Sequence, residues 1–157
     1  FPGFRLAAAE KKYTHVLEDK KVELSGRIDR VSFKGDKTAI IDYKKKNHLK
    51  KADLKPAGDG PSTFQIPFYT YLVGQSGLKV SSSSYYDVTN CKYDHVYNPE
   101  LKKSWCSEEE MELLIYQLKK SVNLMDERIK TGDYTIPYDG CESCSFRRIC
   151  RTKYHVR

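Results

Sequence analysis

The spacing of apolar and polar positions changes several times along the chain, and each change marks an element. Residues 6–18 open with alanines and continue as Tyr13-Thr-His-Val-Leu17, whose later part alternates as a strand does. Val22-Glu-Leu24 leads into Gly26-Arg-Ile-Asp-Arg-Val31, a second alternating stretch with Ile28 apolar and Asp29 polar. Lys34-Gly-Asp-Lys37 has turn chemistry, and Thr38-Ala-Ile-Ile-Asp-Tyr43 is another apolar strand. Together they predict a β-hairpin. The periodicity then stops, and the lysine-rich residues 44–60 read as a mobile basic loop. Ser62 or Thr63 is placed to cap a helix from Phe64 to about Val73, with Pro67 in its first turn, where proline is tolerated. Leu78 to about Val88 predicts a strand, and residues 94–103 a further strand and turn. Ser107-Glu-Glu-Glu110 is a capping-box signature. It opens a helix whose Met111, Leu114, Ile115, Leu118, Val122 and Met125 form one apolar stripe, with Gly132 as its stop. From Tyr134 onward the chain is cysteine-bearing and irregular.

Composition narrows the class. The 157 residues suit one domain with a real core, and 39% hydrophobic with 31% charged residues reads as globular rather than disordered. There is no run of 18 apolar residues and no secretory signal, so a membrane span is not expected. The formal net charge of +7 favours a polyanionic partner such as nucleic acid, although solvated lysines alone give many domains such a balance. The chain opens Phe-Pro-Gly-Phe without an initiator Met, and a segment of a longer protein is expected.

The predicted hairpin carries the chemistry. Period-two geometry puts Asp42 and Lys44 on one face of their strand, and a cooperating register brings Asp29 to the same point from the neighbouring strand. Two carboxylates beside an ammonium suit a hard cation such as Mg²⁺ or Mn²⁺. Such a cation polarises a phosphodiester and acidifies a water, while the lysine orients that water or offsets charge on the phosphate. The plainer reading is a pair of solvated charges beside a turn, worth little. Against it, Asp42 directly follows Ala39-Ile-Ile41, an apolar run where a merely solvated charge is out of place. Gln65 and Tyr69, four apart on the predicted helix, share a face; by themselves they are ordinary helix residues.

Taken in order, Gly26-Arg-Ile-Asp-Arg30, Ile40-Ile-Asp-Tyr-Lys44 and Gln65-Ile-Pro-Phe-Tyr69 resemble the consecutive core motifs of the PD-(D/E)XK nuclease superfamily, most closely its RecB-like branch of helicase–nuclease domains and related exonucleases. The resemblance covers about residues 10–70, and the cysteine tail extends it to about 151. It implies an α/β fold with a central mixed sheet, the hairpin at its middle, flanked by helices at 63–75 and 107–131. It implies that Asp29 and Asp42 hold the metal, that Lys44 is the catalytic lysine, and that Gln65 and Tyr69 help hold the site and the DNA. The Tyr43 backbone carbonyl is a further candidate metal ligand. Lys45 and Lys46 read as solvated loop residues before phosphate contacts. The branch also carries an upstream acid or histidine on a helix. Little chain precedes the hairpin here, Glu10 is not assignable as that ligand, and His15 reads as a strand residue.

Five cysteines, odd in number and clustered toward the C-terminus, argue against a disulfide scaffold and for a metal or cluster. Cys141, Cys144 and Cys150 have a C-x2-C-x5-C spacing, in which neighbouring thiolates chelate one centre; three buried free thiols are the plainer alternative. The tail resembles the end of the iron–sulfur staple of AddB-type nucleases, which implies a 4Fe–4S cluster in a longer protein. Its fourth ligand would be Cys91, Cys106 or, preferably, a cysteine outside this sequence.

The expectation is therefore one domain over 1–157, with 134–157 as its staple. Its expected activity is Mg²⁺- or Mn²⁺-dependent hydrolysis of DNA, as an exonuclease attached to a helicase domain or subunit in a bacterial cytoplasmic repair protein. The alternatives are a catalytically silent nucleic-acid-binding module on the same fold, and a zinc-ribbon-like interaction domain organised by the tail. Trp105 reads as a packing residue.

Overall fold

The computed structural model describes residues 3–17, 22–54 and 63–133. The chain divides into two compact units, Phe1–Asp126 and Glu127–Arg157. The first holds β1 (Arg5–Leu17), β2 (Val22–Lys34), β3 (Lys37–Lys44), a 3₁₀ turn (Lys51–Leu54), α1 (Gln65–Gln75), β4 (Val80–Asp87), β5 (Lys92–Tyr97) and most of α2 (Glu108–Thr131). The sequence placed the start of α2 well. Ser107 Oγ accepts the Glu110 amide at 3.2 Å, and the Ser107 amide donates to the Glu110 carboxylate at 2.9 Å, a closed capping box. In the second unit Gly132 ends the helix with a φ of 70°.

The five strands form one sheet in the order β1-β2-β3-β4-β5. Three pairings are antiparallel; β3 and β4 are parallel, with α1 as the crossover between them. This is the mixed α/β sheet expected, with the hairpin strand β3 at its centre. Gly35, at a φ of 61°, supplies the primed turn that joins β2 to β3. As the central strand, β3 is covered on both faces, and Thr38 to Asp42 are all buried.

One core joins β1, β2 and β3 to α1 through Tyr13, Leu24, Ile28, Val31, Ile40, Leu72 and Val73, with Ile115 and Val122 of α2 against it. A second joins Leu54, Ile66, Tyr85, Val96, Cys106, Met111 and Leu114. Each fully buried aliphatic chain contributes about 1.5–3 kcal/mol by leaving water. Helix α1 lends residues to both cores, which fixes it over the centre of the sheet.

Four expectations need correction. The strand read into Tyr13–Leu17 begins at Arg5, because the alanines pair along the length of β2. Helix α1 begins at Gln65 with Phe64 at the cap position and no side-chain cap, since the first turn closes on the Phe64 carbonyl, one residue past Thr63. The basic loop is not mobile over residues 44–54. The Asn47 amide donates to Asp87 and its side chain to Asp94, the Lys44 and Lys45 carbonyls accept the Val88 and Thr89 amides, and Leu54 is buried. Met125 is in phase with the α2 stripe yet exposed, because the helix outruns the core after Val122. Among the described residues no helix is long and apolar enough to cross a membrane.

Candidate active site

Asp42 closes the buried run of β3 and is 2% exposed. A carboxylate taken out of water requires partners, and the fold brings them from two elements. Lys44, two residues on and therefore on the same face, places Nζ 2.8 Å from Asp42 Oδ2. Gln65, the first residue of α1, donates from Nε2 to Asp42 Oδ1 at 2.8 Å and accepts Lys44 Nζ on Oε1 at 2.7 Å. One turn later Tyr69 presents its hydroxyl 3.3 Å from Gln65 Nε2. A carboxamide is the side chain that can serve a carboxylate and an ammonium at once.

Asp29 reaches the same place from β2. The β2–β3 ladder runs from Lys34↔Lys37 to Arg30↔Ile41 and stops, whereas β2 continues to pair with β1 as far as Val22. Where the next rung would fall, the Tyr43 amide donates instead to Asp29 Oδ2 at 2.8 Å. The strands part there, and the opening holds both acids. On the other face Arg30 Nη1 donates to the Tyr43 hydroxyl at 3.3 Å and Nε to Ser32 at 3.0 Å.

Helix α1 gets close enough to build this cluster because Gly26 has no side chain. A Cβ there would stand 3.0 Å from Leu72 Cδ1 and 3.2 Å from ring atoms of Phe68 and Tyr69. The glycine of the Gly26-Arg-Ile-Asp stretch thus has a steric reason to be one.

Burial pushes the Asp42 carboxyl above its ordinary value; the Lys44 hydrogen bond and charge pull it down, and the nearby negative charge of Asp29 pushes it up again. Oδ2 of Asp42 is buried, and its partner is the Lys44 ammonium at 2.8 Å, in less than ideal alignment. Each carboxylate oxygen keeps a further lone pair beside the partner it has, so Asp42 with Asp29 next to it is a donor set that fits a hard divalent cation. Among the described residues no three His, Cys, Asp or Glu side chains gather as a metal site. Two protein carboxylates still suit Mg²⁺, which keeps several of its waters.

The remaining candidates lie elsewhere. Glu10 is exposed and pairs with Arg27 at 3.0 Å, so it is not drawn into the cluster. His15 packs edge-on against Tyr71 at 5.4 Å, as an ordinary strand residue does. Lys45 and Lys46 are exposed. Cys141, Cys144 and Cys150 lie outside the described residues. Cys106 is buried in the second core, where desolvation pushes its thiol up to about 11, and a thiol so held is a poor ligand. Cys91 is exposed.

Sequence reasoning missed Tyr85, which lies in register with Asp42 on β4 and carries the Lys44 ammonium 5.5 Å above its ring. Nothing local in Ser84-Tyr-Tyr-Asp87 announces that position, since parallel register passes through a crossover helix. It also missed Asp87 and Asn47, whose bonds pin the loop that leaves the site.

No curated protein matches the chain. Residues 1–151 match the sequence model of the PD-(D/E)XK nuclease superfamily, whose members are typically metal-dependent nucleases. The match spans nearly the whole chain and includes both parted strands and α1. With its mixed five-stranded sheet and flanking helices, the chain belongs to the PD-(D/E)XK nuclease superfamily.

Proposed function

We propose that this chain is the nuclease domain of a RecB-like DNA exonuclease, and that Asp29, Asp42 and Lys44 carry the reaction. The observation that carries this reading is Asp42: a carboxylate buried at the end of β3, with Lys44 Nζ 2.8 Å from its Oδ2 and Asp29 near enough for its charge to be felt. A buried ion pair adds little to stability, so a use for it is the better account. Asp29 and Asp42 hold a divalent cation, with the Tyr43 carbonyl as a further oxygen donor. The cation supplies Lewis acidity toward the phosphodiester and a more acidic water. Lys44 presents its ammonium to the attacking water or to the negative charge growing on the phosphate. Gln65 bridges Asp42 and Lys44 and fixes their orientation, and Tyr69 steadies Gln65. The net charge of +7 draws the polyanionic substrate to the domain. A helicase partner and a 4Fe–4S cluster on Cys141, Cys144 and Cys150 belong to the same reading and rest on resemblance alone.

The test is Mn²⁺-dependent cleavage of linear single- and double-stranded DNA by the parent chain, Lys44→Ala and Asp42→Ala. Cleavage by the parent that both substitutions abolish supports the assignment. Cleavage that survives both places the chemistry elsewhere. A second reading, a silent nucleic-acid-binding module, draws on the absence of a third acid or histidine from the cluster among the described residues. DNA binding without hydrolysis, by this chain and by any longer protein that contains it, would favour that reading.

A further inference from the structure

Tyr85 is fully buried in the second core, with its ring tilted against Trp105 at 6.2 Å between centroids. The Lys44 ammonium stands 5.5 Å from the centre of the same ring. Of the groups around that ammonium, Gln65 Oε1 and Asp42 Oδ2 bind through oxygen, at 2.7 and 2.8 Å; the Tyr85 ring is the apolar support. Its hydroxyl is buried without a well-aligned hydrogen bond; the Thr63 side chain and the Ile66 backbone lie close enough to favour its ionised form, but burial outweighs them and pushes it up to about 12. The part of Tyr85 that meets the cation is the ring.

We infer that Tyr85 is a positioning residue for Lys44: the negative face of its ring holds the ammonium in place while the Asp42 carboxylate is engaged by another cation. The inference rests on the reading that Lys44 serves the reaction. Lys44 has two anionic or polar anchors, and the proposed metal competes for one of them. Gln65 alone is a single hydrogen bond on a flexible four-carbon chain. The ring adds a second attachment that no metal ligand competes for, because an aromatic face attracts ammonium ions through its quadrupole. Trp105 and Ile66 keep the ring from tilting away. The site is thus tied to the segment before α2, which sequence order does not suggest.

The experiment replaces Tyr85 by Phe, by ring-fluorinated phenylalanines that nearly keep the ring's shape while weakening and, at full fluorination, reversing its quadrupole, and by Leu. Two quantities are read from each folded variant: the NMR signal of the Lys44 side chain without metal, assigned through Lys44→Arg, and single-turnover cleavage with the DNA Kd measured separately. Tyr85→Phe is expected to keep the Lys44 signal, and cleavage within about threefold, since the ring is kept and a buried hydroxyl without a well-aligned partner contributes little. Full fluorination is expected to slow cleavage about tenfold with little change in Kd, the range of a partly desolvated cation–π contact. Tyr85→Leu should remove the ring-current shift from Lys44. Equal cleavage by Phe and fully fluorinated variants, or a Lys44 signal indifferent to Tyr85→Leu, overturns the inference. If the parent itself never cleaves while the Lys44 signal follows the ring series, the nuclease reading fails and the positioning of Lys44 by Tyr85 stands.

Discussion

Gln65 Nε2 lies 2.8 Å from Asp42 Oδ1, and the other end of the same carboxamide lies 2.7 Å from Lys44 Nζ. A single neutral group therefore bridges the two members of an ion pair already in contact, with Lys44 Nζ 2.8 Å from Asp42 Oδ2, and fixes their orientation. Gln65→Leu removes both bonds. Hydrogen bonds to charged groups are worth about 1.5–3 kcal/mol, so a loss of about 10- to 100-fold in single-turnover cleavage is expected. Gln65→Glu should be worse, because it turns a donor toward Asp42 into a like charge. DNA affinity should move by less than about threefold in both, given that the lost bonds are internal to the site. A fall in affinity as large as the fall in rate would make Gln65 a DNA contact instead.

Asp29 has two duties that substitution can separate. Its Oδ2 accepts the Tyr43 amide at the point where β2 and β3 part, and its charge adds to that of Asp42. Asp29→Asn keeps an oxygen for the amide and discards the charge. The variant should unfold within about 0.5 kcal/mol of the parent, as a change that spares named packing and hydrogen bonds does. It should bind Mn²⁺ at least about tenfold more weakly, since even supporting residues of a metal site cost 10- to 100-fold. Calorimetric titration with Mn²⁺ reads the second effect without any turnover. Unchanged Mn²⁺ affinity would remove Asp29 from the ligand set.

Gly26 couples α1 to β2. A Cβ at that position meets Leu72, Phe68 and Tyr69 at 3.0 to 3.2 Å, all of them side-chain atoms that can yield a little. Gly26→Ala should therefore be mild. Gly26→Val should push α1 outward and cost about 1–3 kcal/mol, the usual range for overpacking. Tyr69 and Gln65 lie on the displaced helix, so cleavage should fall further than stability does. Urea unfolding beside single-turnover rates measures both. Equal losses in Ala and Val variants would mean that backbone freedom, rather than space, is what the glycine provides.

What could be read from the sequence was local. The hairpin was legible because turn residues at Gly35 and Asp36 separate two alternating runs, and the alternation itself put Asp42 and Lys44 on one face. The start of α2 was legible because a capping box needs only residues three apart. The unusual burial of Asp42 was foreshadowed by Ala39-Ile-Ile41. Non-local pairing was not legible. The parallel register that sets Tyr85 opposite Asp42 depends on how α1 crosses the sheet, and the reach of Gln65 to Lys44 depends on the missing side chain of Gly26. Residues 44–54 looked unstructured because a lysine run has no periodicity. Their order comes from bonds to β4 and β5, which lie some forty residues further along the chain.

That pinning has a pH signature. Asp87 is buried, and it accepts the Asn47 amide at 2.9 Å, the Asn90 amide at 2.9 Å and the Asn90 side chain at 2.8 Å. The Asn47 amide bond is the largest influence on its carboxyl, followed by that of Asn90, and together they hold it below the ordinary carboxylate value despite some desolvation. A carboxyl whose folded pKa is depressed binds fewer protons in the native state than in the unfolded one. The stability it contributes is complete above the unfolded value of about 3.9 and is lost as pH falls through the folded value. Asp87→Asn removes the charge and with it this dependence. The variant should melt below the parent at neutral pH, and the gap should close as the pH is lowered past the ordinary carboxylate range. Because Asp87 also anchors the loop that leaves Lys44, the variant should open residues 45–49 to hydrogen exchange before the rest of the sheet. Melting curves across pH, with exchange at the Asn47 amide, check both. A gap that stays constant down to acid unfolding would assign the contribution of Asp87 to packing and neutral hydrogen bonds rather than to its charge.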